Sequence, residues 1–233
     1  MDAFDRPRFP QARAGHVESW FWRANHPTER RAFWLKATVL VDDAGRRSAD
    51  AWCTLFEPGQ AFGLRSTVPL DQATFDAPLD LRVSGCEFSR ESLRGSLQGQ
   101  GHAVSWDLKF RPVDGPLGEP LCLFPSPRLL DGPVPKNKAI TPCAAALLDG
   151  HLVVDGERWN IAAWPGMRGH NWGPGHAEHY AWGHALFLDA DGRPHALVEG
   201  VSARLRLAGH LTPWLSGLVV RRGDREYRFD RIV

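Results

Sequence analysis

Alternation of apolar and polar residues is the feature of this sequence that most restricts its fold. Residues 33–41, 104–111 and 201–207 each place apolar side chains at every second position. Successive side chains of a strand point to opposite faces, so this period is typical of half-buried antiparallel strands. No segment shows the 3.6-residue period of an amphipathic helix of ordinary length.

Turn signals separate these candidate strands. Asp155-Gly156 predicts a hairpin between residues 152–154 and 158–161. Residues 189–192 and 222–224 occupy equivalent places between later strands. Many short strands at this spacing indicate an all-β fold, an antiparallel sandwich or barrel.

One segment interrupts this rhythm. Prolines recur throughout residues 112–142, and proline cannot donate to a central ladder. We predict a long irregular crossover here, which is either a linker or a loop closing one end of a barrel.

Charge and composition disfavour several classes of function. The chain carries 28 Lys and Arg against 27 Asp and Glu, a net charge of +1, which gives no electrostatic footprint for nucleic acid or an anionic membrane. No apolar run is long enough to span a bilayer, and the start has no secretory signal. We expect a cytoplasmic protein with no nucleic-acid partner, no stable membrane insertion and reduced, buried cysteines.

The densest group of chemically capable side chains lies in residues 169–184, which hold four of the ten histidines. In an extended chain, His170 and Trp172 point to the same side. A pocket lined by such residues suits an apolar ligand that is fixed by few polar contacts. The candidate ligand-binding residues in this stretch are Asn171, Trp172, Tyr180, Trp182 and His184.

Three interpretations of the histidines stay open. They could act as acids and bases, because imidazole titrates near neutrality. They could instead join strand ends through hydrogen bonds. Alternatively they could bind zinc or iron, although their spacing matches no tight metal template and we assign no metal ligands. The residues for that third possibility are His170, His176, His179 and His184.

A second candidate site lies near the start of the chain. Glu18, Trp20 and Trp22 share one face of a predicted strand at residues 15–23, and the two tryptophans are further candidate ligand-binding residues. A carboxylate packed against indoles has its neutral form favoured, which suits a proton donor. The alternative is an edge strand with Glu18 in solvent. Glu199 is a further candidate, so the predicted catalytic residues are His170, Glu18 and Glu199.

The segments 15–22, 32–35 and 166–173, followed by Trp182, carry a family resemblance. They resemble the lipocalin-like hydroxyneurosporene synthase (carotenoid 1,2-hydratase, AttH-like) family, and more distantly tocopherol cyclases and some fungal Diels–Alder cyclases. The resemblance implies two consecutive lipocalin-like β domains that hold an apolar ligand. It also implies protonation of an isolated double bond and addition of water, without a redox cofactor.

The resemblance also assigns residues. The His-x-Trp pair of the hydratase falls on His170 and Trp172, and its Tyr-x-Asp pair falls on Leu197 and Glu199, so the tyrosine is missing here. Family members run about a hundred residues further. We therefore expect a flexible N-terminus at 1–14, a lipocalin-like domain at 15–207 and a partial second domain at 208–233.

Two functions follow as alternatives. The chain is either an enzyme, namely a hydratase (a lyase), cyclase or isomerase of an isoprenoid- or polyketide-like molecule, or a non-catalytic carrier of a lipophilic ligand. The sequence has no P-loop, no G-x-G-x-x-G and no G-x-S-x-G motif, which gives no support to nucleotide-dependent chemistry or to a Ser-hydrolase mechanism. We expect no cofactor. The expected partner is an apolar small molecule.

Overall fold

A computed structural model describes residues 2–12, 14–133, 135–175, 177–207 and 209–229. Strands account for 65% of it and helix for 5%, which confirms the all-β prediction. None of the helices in these ranges has the length and apolar character needed to cross a bilayer.

The helical elements are α1 (Asp2–Asp5) and the 3-10 turns Phe9–Gln11, Leu70–Gln72 and Pro127–Leu130. The strands are β1 (His16–Asn25), β2 (Ala32–Val41), β3 (Arg47–Glu57), β4 (Gln60–Pro69), β5 (Thr74–Asp76), β6 (Asp80–Val83), β7 (Cys86–Ser89), β8 (Ser92–Gly99), β9 (His102–Pro112), β10 (Lys138–Val154), β11 (Glu157–Gly173), β12 (His179–Leu188), β13 (Pro194–Arg204), β14 (Arg206–Leu207), β15 (His210–Leu211), β16 (Leu215–Arg222) and β17 (Arg225–Phe229).

The first eleven strands form one antiparallel sheet in the order β4-β3-β2-β1-β11-β10-β9-β8-β7-β6-β5. The sheet curls into a half-barrel of lipocalin-like form. Its two ends approach each other, because the Ser66 hydroxyl lies 2.6 Å from that of Ser84. The curl encloses the main core, which includes Trp22, Phe33 and Phe88.

Strand β1 lies in the middle of this sheet, paired with β2 on one side and β11 on the other. Alternation turns Glu18 and Trp20 toward the core side and Phe21 toward the opposite side. The expectation of an edge strand with Glu18 in solvent is wrong, because two neighbours pair with β1 and Glu18 is 0% exposed.

A second, four-stranded sheet follows in the order β12-β13-β16-β17. Leu197 and Val219 of this sheet pack against Ala144 and Ala145 of β10. Strand β10 is therefore covered on both faces, by the half-barrel core on one side and by the second sheet on the other.

The sheets of the described residues change between Gly173 and His179. The second sheet thus begins before residue 208, while the division into domains at 15–207 and 208–233 stays a proposal. The described part of residues 1–14 packs against the half-barrel, where Phe9 joins the core. Cys53, Cys86 and Cys143 are free thiols and buried, and Cys122 is half-buried.

The predicted crossover is confirmed between the end of β9 and the start of β10, while residues 138–142 belong to β10. Arg221 of the second sheet holds this proline-rich segment. Its guanidinium donates to the carbonyl oxygens of Pro116 (2.8 Å), Glu119 (2.7 Å) and Pro120 (2.9 Å). The segment fills the space between the second sheet and β10, where Leu117 and Leu121 join the same apolar cluster.

Candidate active site

The candidate residues lie on two opposite faces of the half-barrel wall. Glu18 and His170 point to the core side of β1 and β11, where Glu18 is paired in register with Trp172 and Trp20 with His170. Glu199 belongs to the second sheet, which covers the other side of the wall. The structure thus separates the proposed acid/base partners into an inner pair and an outer cluster.

The inner pair is a buried ion pair. His170 Nε2 donates to a carboxylate oxygen of Glu18 at 2.8 Å, and both side chains are fully buried. His170 Nδ1 lies 2.6 Å from the carbonyl oxygen of Phe4. A carbonyl and an ionised carboxylate only accept, so both ring nitrogens are placed to donate. Trp20 stacks on this ring with 4.6 Å between centroids.

The N-terminal segment seals this pair. The backbone N–H groups of Arg8 (2.9 Å) and Phe9 (2.7 Å) donate to the Glu18 carboxylate, and Trp20 Nε1 donates to the carbonyl of Asp5. Asp5 in turn forms an ion pair with Arg168 at 3.0 Å. The lipid-like ligand expected at this place has no access to it in this conformation.

These contacts determine the charge of Glu18. Burial alone would raise the pKa of the carboxyl, but hydrogen bonds from His16 and His170, the charge of His170 and the Arg8 N–H together lower it. Glu18 is therefore an ionised acceptor, so it does not suit the role of proton donor that the sequence suggested.

The other residues predicted near this pair do not all lie on the same face of the sheet. Trp172 packs against His170 with 4.8 Å between ring centroids, and Trp22 lies in the core, stacked on Phe88 at 5.3 Å. Asn171 points to the opposite side of β11 from its two neighbours and is half-buried. Trp20, Trp22 and Trp172 therefore form packed walls.

The outer cluster is built around Glu199. Thr141 Oγ1 donates to Glu199 Oε1 at 2.7 Å, and Trp182 Nε1 donates to the same oxygen at 3.0 Å. The other oxygen, Oε2, is buried and has no hydrogen-bond partner among the described residues. This contrasts with the fully satisfied carboxylate of Glu18.

Burial raises the pKa of Glu199, and the bonds from Thr141 and Trp182 and the charges of Arg23 and Arg221 only partly offset that effect. The carboxyl thus favours its neutral form, with Oε2 left to carry the proton. A buried carboxylic acid beside an indole is a candidate general acid.

Arg23 and His184 lie beside this acid. Arg23 Nη2 donates to His184 Nδ1 and, at 2.7 Å, to the His184 carbonyl, while His184 Nε2 donates to the Ala144 carbonyl at 2.8 Å. Burial and then the charge of Arg23 lower the pKa of His184 to about 3. His184 is a neutral residue that orients Arg23. Burial also lowers the pKa of Arg23 to about 10, against the opposing effect of Glu199.

An aromatic group borders the acid. The Trp182 ring lies 6.1 Å from that of Phe21 and 6.2 Å from that of Trp34, and Phe21 lies 5.2 Å from Trp34. Gly169 permits this arrangement, because a Cβ at that position would lie 2.1 Å from Phe21 Cζ. Indole faces of this kind stabilise cations.

The structure does not bring all predicted residues together. Tyr180 is 54% exposed at the start of β12. Among the residues that the structure describes, no group of three or more His, Cys, Asp and Glu could hold a metal ion. His176 lies outside the described residues, and His179 is exposed. The metal interpretation of the histidines gains no support from the remaining ones, His170 and His184, which lie on different faces.

Sequence reasoning missed four outer-cluster residues. Phe21, Arg23 and Trp34 lie on strand faces that a single-sheet interpretation assigns to solvent. Thr141 lies in the stretch predicted as an irregular crossover. The sequence did hold one signal. Large aromatic side chains occur on both faces of β1 and β2, which is typical of strands that are buried on both faces.

Two cavities of the described chain lie away from Glu199. One, of about 260 Å³, is lined by Phe4 and Arg8 of the N-terminal segment together with Pro127, Arg128, Leu130 and Asp131. The other, of about 460 Å³, is an open cleft lined by His195, Arg222, Gly223, Arg225 and Tyr227. Glu199 lines neither of them, so a substrate at Glu199 needs the packing between the two sheets to open.

Comparison with known proteins identifies the fold. No protein-family model matches the sequence, and no curated protein matches it either. A crystal structure assigned to AttH from Nitrosomonas europaea aligns over 92% of this chain with a TM-score of 0.58 and 12% identity. Kievitone hydratase from Nectria haematococca aligns over 91% with a TM-score of 0.52 and 12% identity.

Both of these proteins are longer. The chain spans 68% of the AttH structure and 63% of kievitone hydratase. At this level of identity the likeness shows the fold alone: the chain has the lipocalin-like β fold that these hydratase-like proteins share.

Proposed function

We propose that the protein is a cofactor-independent hydratase, or a related cyclase or isomerase, of an apolar unsaturated molecule with an isoprenoid- or polyketide-like skeleton. Glu199 donates the proton. The observation that carries this proposal is the buried, unpartnered Oε2 of Glu199, in a carboxyl group whose pKa is raised and which is bonded to an indole of the aromatic group.

The reaction balances without a cofactor. Glu199 transfers its proton to one carbon of a double bond, and the π electrons form the new C–H bond, which leaves a carbocation on the other carbon. Water adds to that cation, and its surplus proton returns to the Glu199 carboxylate. The net change is addition of H and OH. If a neighbouring carbon loses the proton instead, the same residue catalyses isomerisation.

Arg23 and the aromatic group support both stages. The positive charge of Arg23 stabilises the Glu199 carboxylate that is left after proton transfer, which increases the acid strength of the carboxyl. The Arg23 guanidinium already lies over the Trp182 ring, 5.6 Å from its centroid, so the face of Trp34 is the one that stabilises the carbocation by cation–π attraction. His184 positions Arg23 by accepting from its guanidinium and does not itself exchange the proton.

The family resemblance supports the same residue. The carboxylate of the hydratase Tyr-x-Asp pair falls on Glu199, and the structurally similar kievitone hydratase is named for a hydration. By contrast, the His-x-Trp position falls on the sealed inner pair. We therefore propose a structural role for Glu18 and His170, with Trp172, Trp20 and Trp22 as packing residues.

A non-catalytic carrier is the second candidate. It is favoured by Leu197, which stands where the hydratase pattern has a tyrosine. A carrier would bind the same apolar ligand between the sheets, with Glu199 as a hydrogen-bond donor to it.

The test is turnover in D₂O with polyprenyl alcohols and neurosporene, followed by mass spectrometry for added deuterium or D₂O. The wild type and a Glu157→Gln control, which changes an exposed carboxylate, should act alike. Glu199→Gln should abolish turnover and keep ligand-induced Trp quenching. Saturable quenching without any deuterium uptake would select the carrier, and unimpaired turnover by Glu199→Gln would overturn the assignment of the acid.

A further inference from the structure

The outer face of β1–β4 continues beyond the aromatic group as a row of four cross-strand neighbours. Phe21 is paired in register with Lys36, Lys36 with Trp52, and Trp52 with Arg65. Cross-strand neighbours on one face lie about 5 Å apart at their Cβ atoms. This row, called here the Lys36 row, therefore connects the aromatic group to two cations.

Hydrogen-bond donors are in excess on this face. Trp34 Nε1, Trp52 Nε1 and Arg23 Nε are buried and have no partner among the described residues. Buried donors of this kind are costly to leave unpaired, so an acceptor that reached this face would be stabilised by them. Apart from Glu199 Oε2, the outer cluster offers no unpartnered buried oxygen to them within the described chain.

The side chains of this face also carry an excess of positive charge. Arg23, Lys36 and Arg65 lie on this face. Glu199 acts on Arg23, and the carboxylate that acts on Lys36 is Asp50, which accepts from Thr67 at 2.5 Å. The ammonium group of Lys36 lies 5.9 Å from the Trp52 ring centroid, and Arg65 lies 5.0 Å from it on the neighbouring strand. The structure gives Lys36 no ion pair within 4 Å and no hydrogen bond to a described residue. Burial lowers the pKa of Lys36, and Asp50 partly restores it.

We infer that the Lys36 row binds an oxyanion of the substrate, a carboxylate or an ionised phenol, through Lys36 and Trp52 Nε1. This inference adds a substrate class to the proposed function. It rests on that function only for the end of the substrate that reacts at Glu199. Molecules that carry an acidic group on the apolar skeleton are then favoured as substrates over pure hydrocarbons. Trp34 and Lys36 are two residues apart on β2, about 7 Å along the strand, so the acidic group lies on the order of one ring system away from the aromatic group.

A matched pair of fluorescent probes tests this inference by binding, independently of turnover. 8-Anilinonaphthalene-1-sulfonate and N-phenyl-1-naphthylamine share one ring skeleton, and the sulfonate alone distinguishes them. The wild type should bind the sulfonate at least tenfold more tightly. Lys36→Met should weaken sulfonate binding about ten- to a hundredfold, as expected for loss of a charged hydrogen bond, and leave binding of the neutral amine unchanged.

Three variants complete the design. Lys109→Met removes an exposed lysine of β9 and should behave like the wild type. Lys36→Arg should restore the preference for the sulfonate. Glu199→Gln should keep that preference while losing turnover. Binding of the probes thus tests the Lys36 row, and turnover tests Glu199 as the acid, so each proposal can fail without the other.

The inference is overturned by equal affinity of the wild type for the two probes, by saturable binding of neither, or by a Lys36→Met variant that keeps the preference. A Lys36→Met variant that loses both probes equally, with a lowered melting temperature, would also overturn it, because Lys36 would then be a structural residue beside Trp52.

Discussion

His170 Nε2 and a Glu18 carboxylate oxygen lie 2.8 Å apart, and neither side chain is exposed. The pair connects β1, β11 and the N-terminal segment, because Phe4 and Phe9 contribute backbone groups to it. A histidine and a carboxylate in contact usually suggest proton transfer. Here every oxygen and nitrogen of the pair is already bonded to the protein, so the pair stabilises the fold.

Glu18→Gln should therefore destabilise the protein by about 3–5 kcal/mol at pH 7, the range seen when one partner of a buried ion pair is removed. The amide nitrogen of glutamine would face the N–H donors of Arg8, Phe9 and His170. Urea unfolding of the variant and of the exposed control Glu157→Gln measures the difference. Equal unfolding midpoints for the two variants would contradict the structural role.

The same pair predicts a pH dependence. The pKa of Glu18 in the folded protein is lowered from 4.5, so its stabilisation is fully present above pH 4.5 and is lost as the pH falls through the folded-state pKa. The gap in melting temperature between wild type and Glu18→Gln should be widest at neutral pH and should narrow below pH 4.5. A gap that widens in acid would show that Glu18 is not the ionised partner.

Glu199 should behave in the opposite way. Its folded-state pKa is raised from 4.5, so the wild type loses stability relative to Glu199→Gln as the pH rises above 4.5, up to the folded-state pKa. Glutamine resembles the neutral acid in shape, so the variant should match or exceed the wild-type melting temperature at pH 8. A thermal melting series from pH 4 to 9 checks this, and a constant difference across the series would mean that Glu199 is not perturbed.

The fold could be predicted from the sequence because strand alternation is a local signal. Residues 33–41 and the hairpin at Asp155-Gly156 lie in the structure as predicted. Burial of both faces of β1 could not be predicted, since the outer face packs against the second sheet, where Trp182 contacts Phe21 from 161 residues further along the chain. Alternation identified Glu18 as a carboxylate beside indoles but could not show which backbone groups satisfy it.

Several residues of the candidate site could be named from the sequence, but the way they are arranged in space could not. Glu199, Trp182 and His184 were identified from the sequence, and they do converge. Their partners Arg23 and Thr141 come from β1 and β10, which meet the second sheet through packing between sheets rather than through any local pattern. Long-range contacts of this kind leave no periodic signal.

Gly169→Ala should disturb the aromatic group. A Cβ at residue 169 would lie 2.1 Å from Phe21 Cζ, so the Phe21 ring must move toward Trp34 and Trp182. Overpacking of this kind costs about 1–3 kcal/mol. Near-ultraviolet circular dichroism and Trp fluorescence should both change. Gly183→Ala is the control, because a Cβ there meets nothing within 4 Å, and identical spectra for the two variants would contradict the predicted contact.

Arg221→Met should loosen the second sheet from the rest of the protein. The guanidinium satisfies three carbonyl oxygens of the proline-rich segment and also pairs with Glu226 at 2.7 Å. Methionine fills similar space but leaves those carbonyls without a donor, at a cost of about 3 kcal/mol. Proteolysis should become faster within residues 113–120, and Arg222→Met, which removes an exposed neighbour, should leave it unchanged. Unchanged cleavage would mean that the apolar cluster of Leu197 and Val219 is sufficient to hold the sheets together.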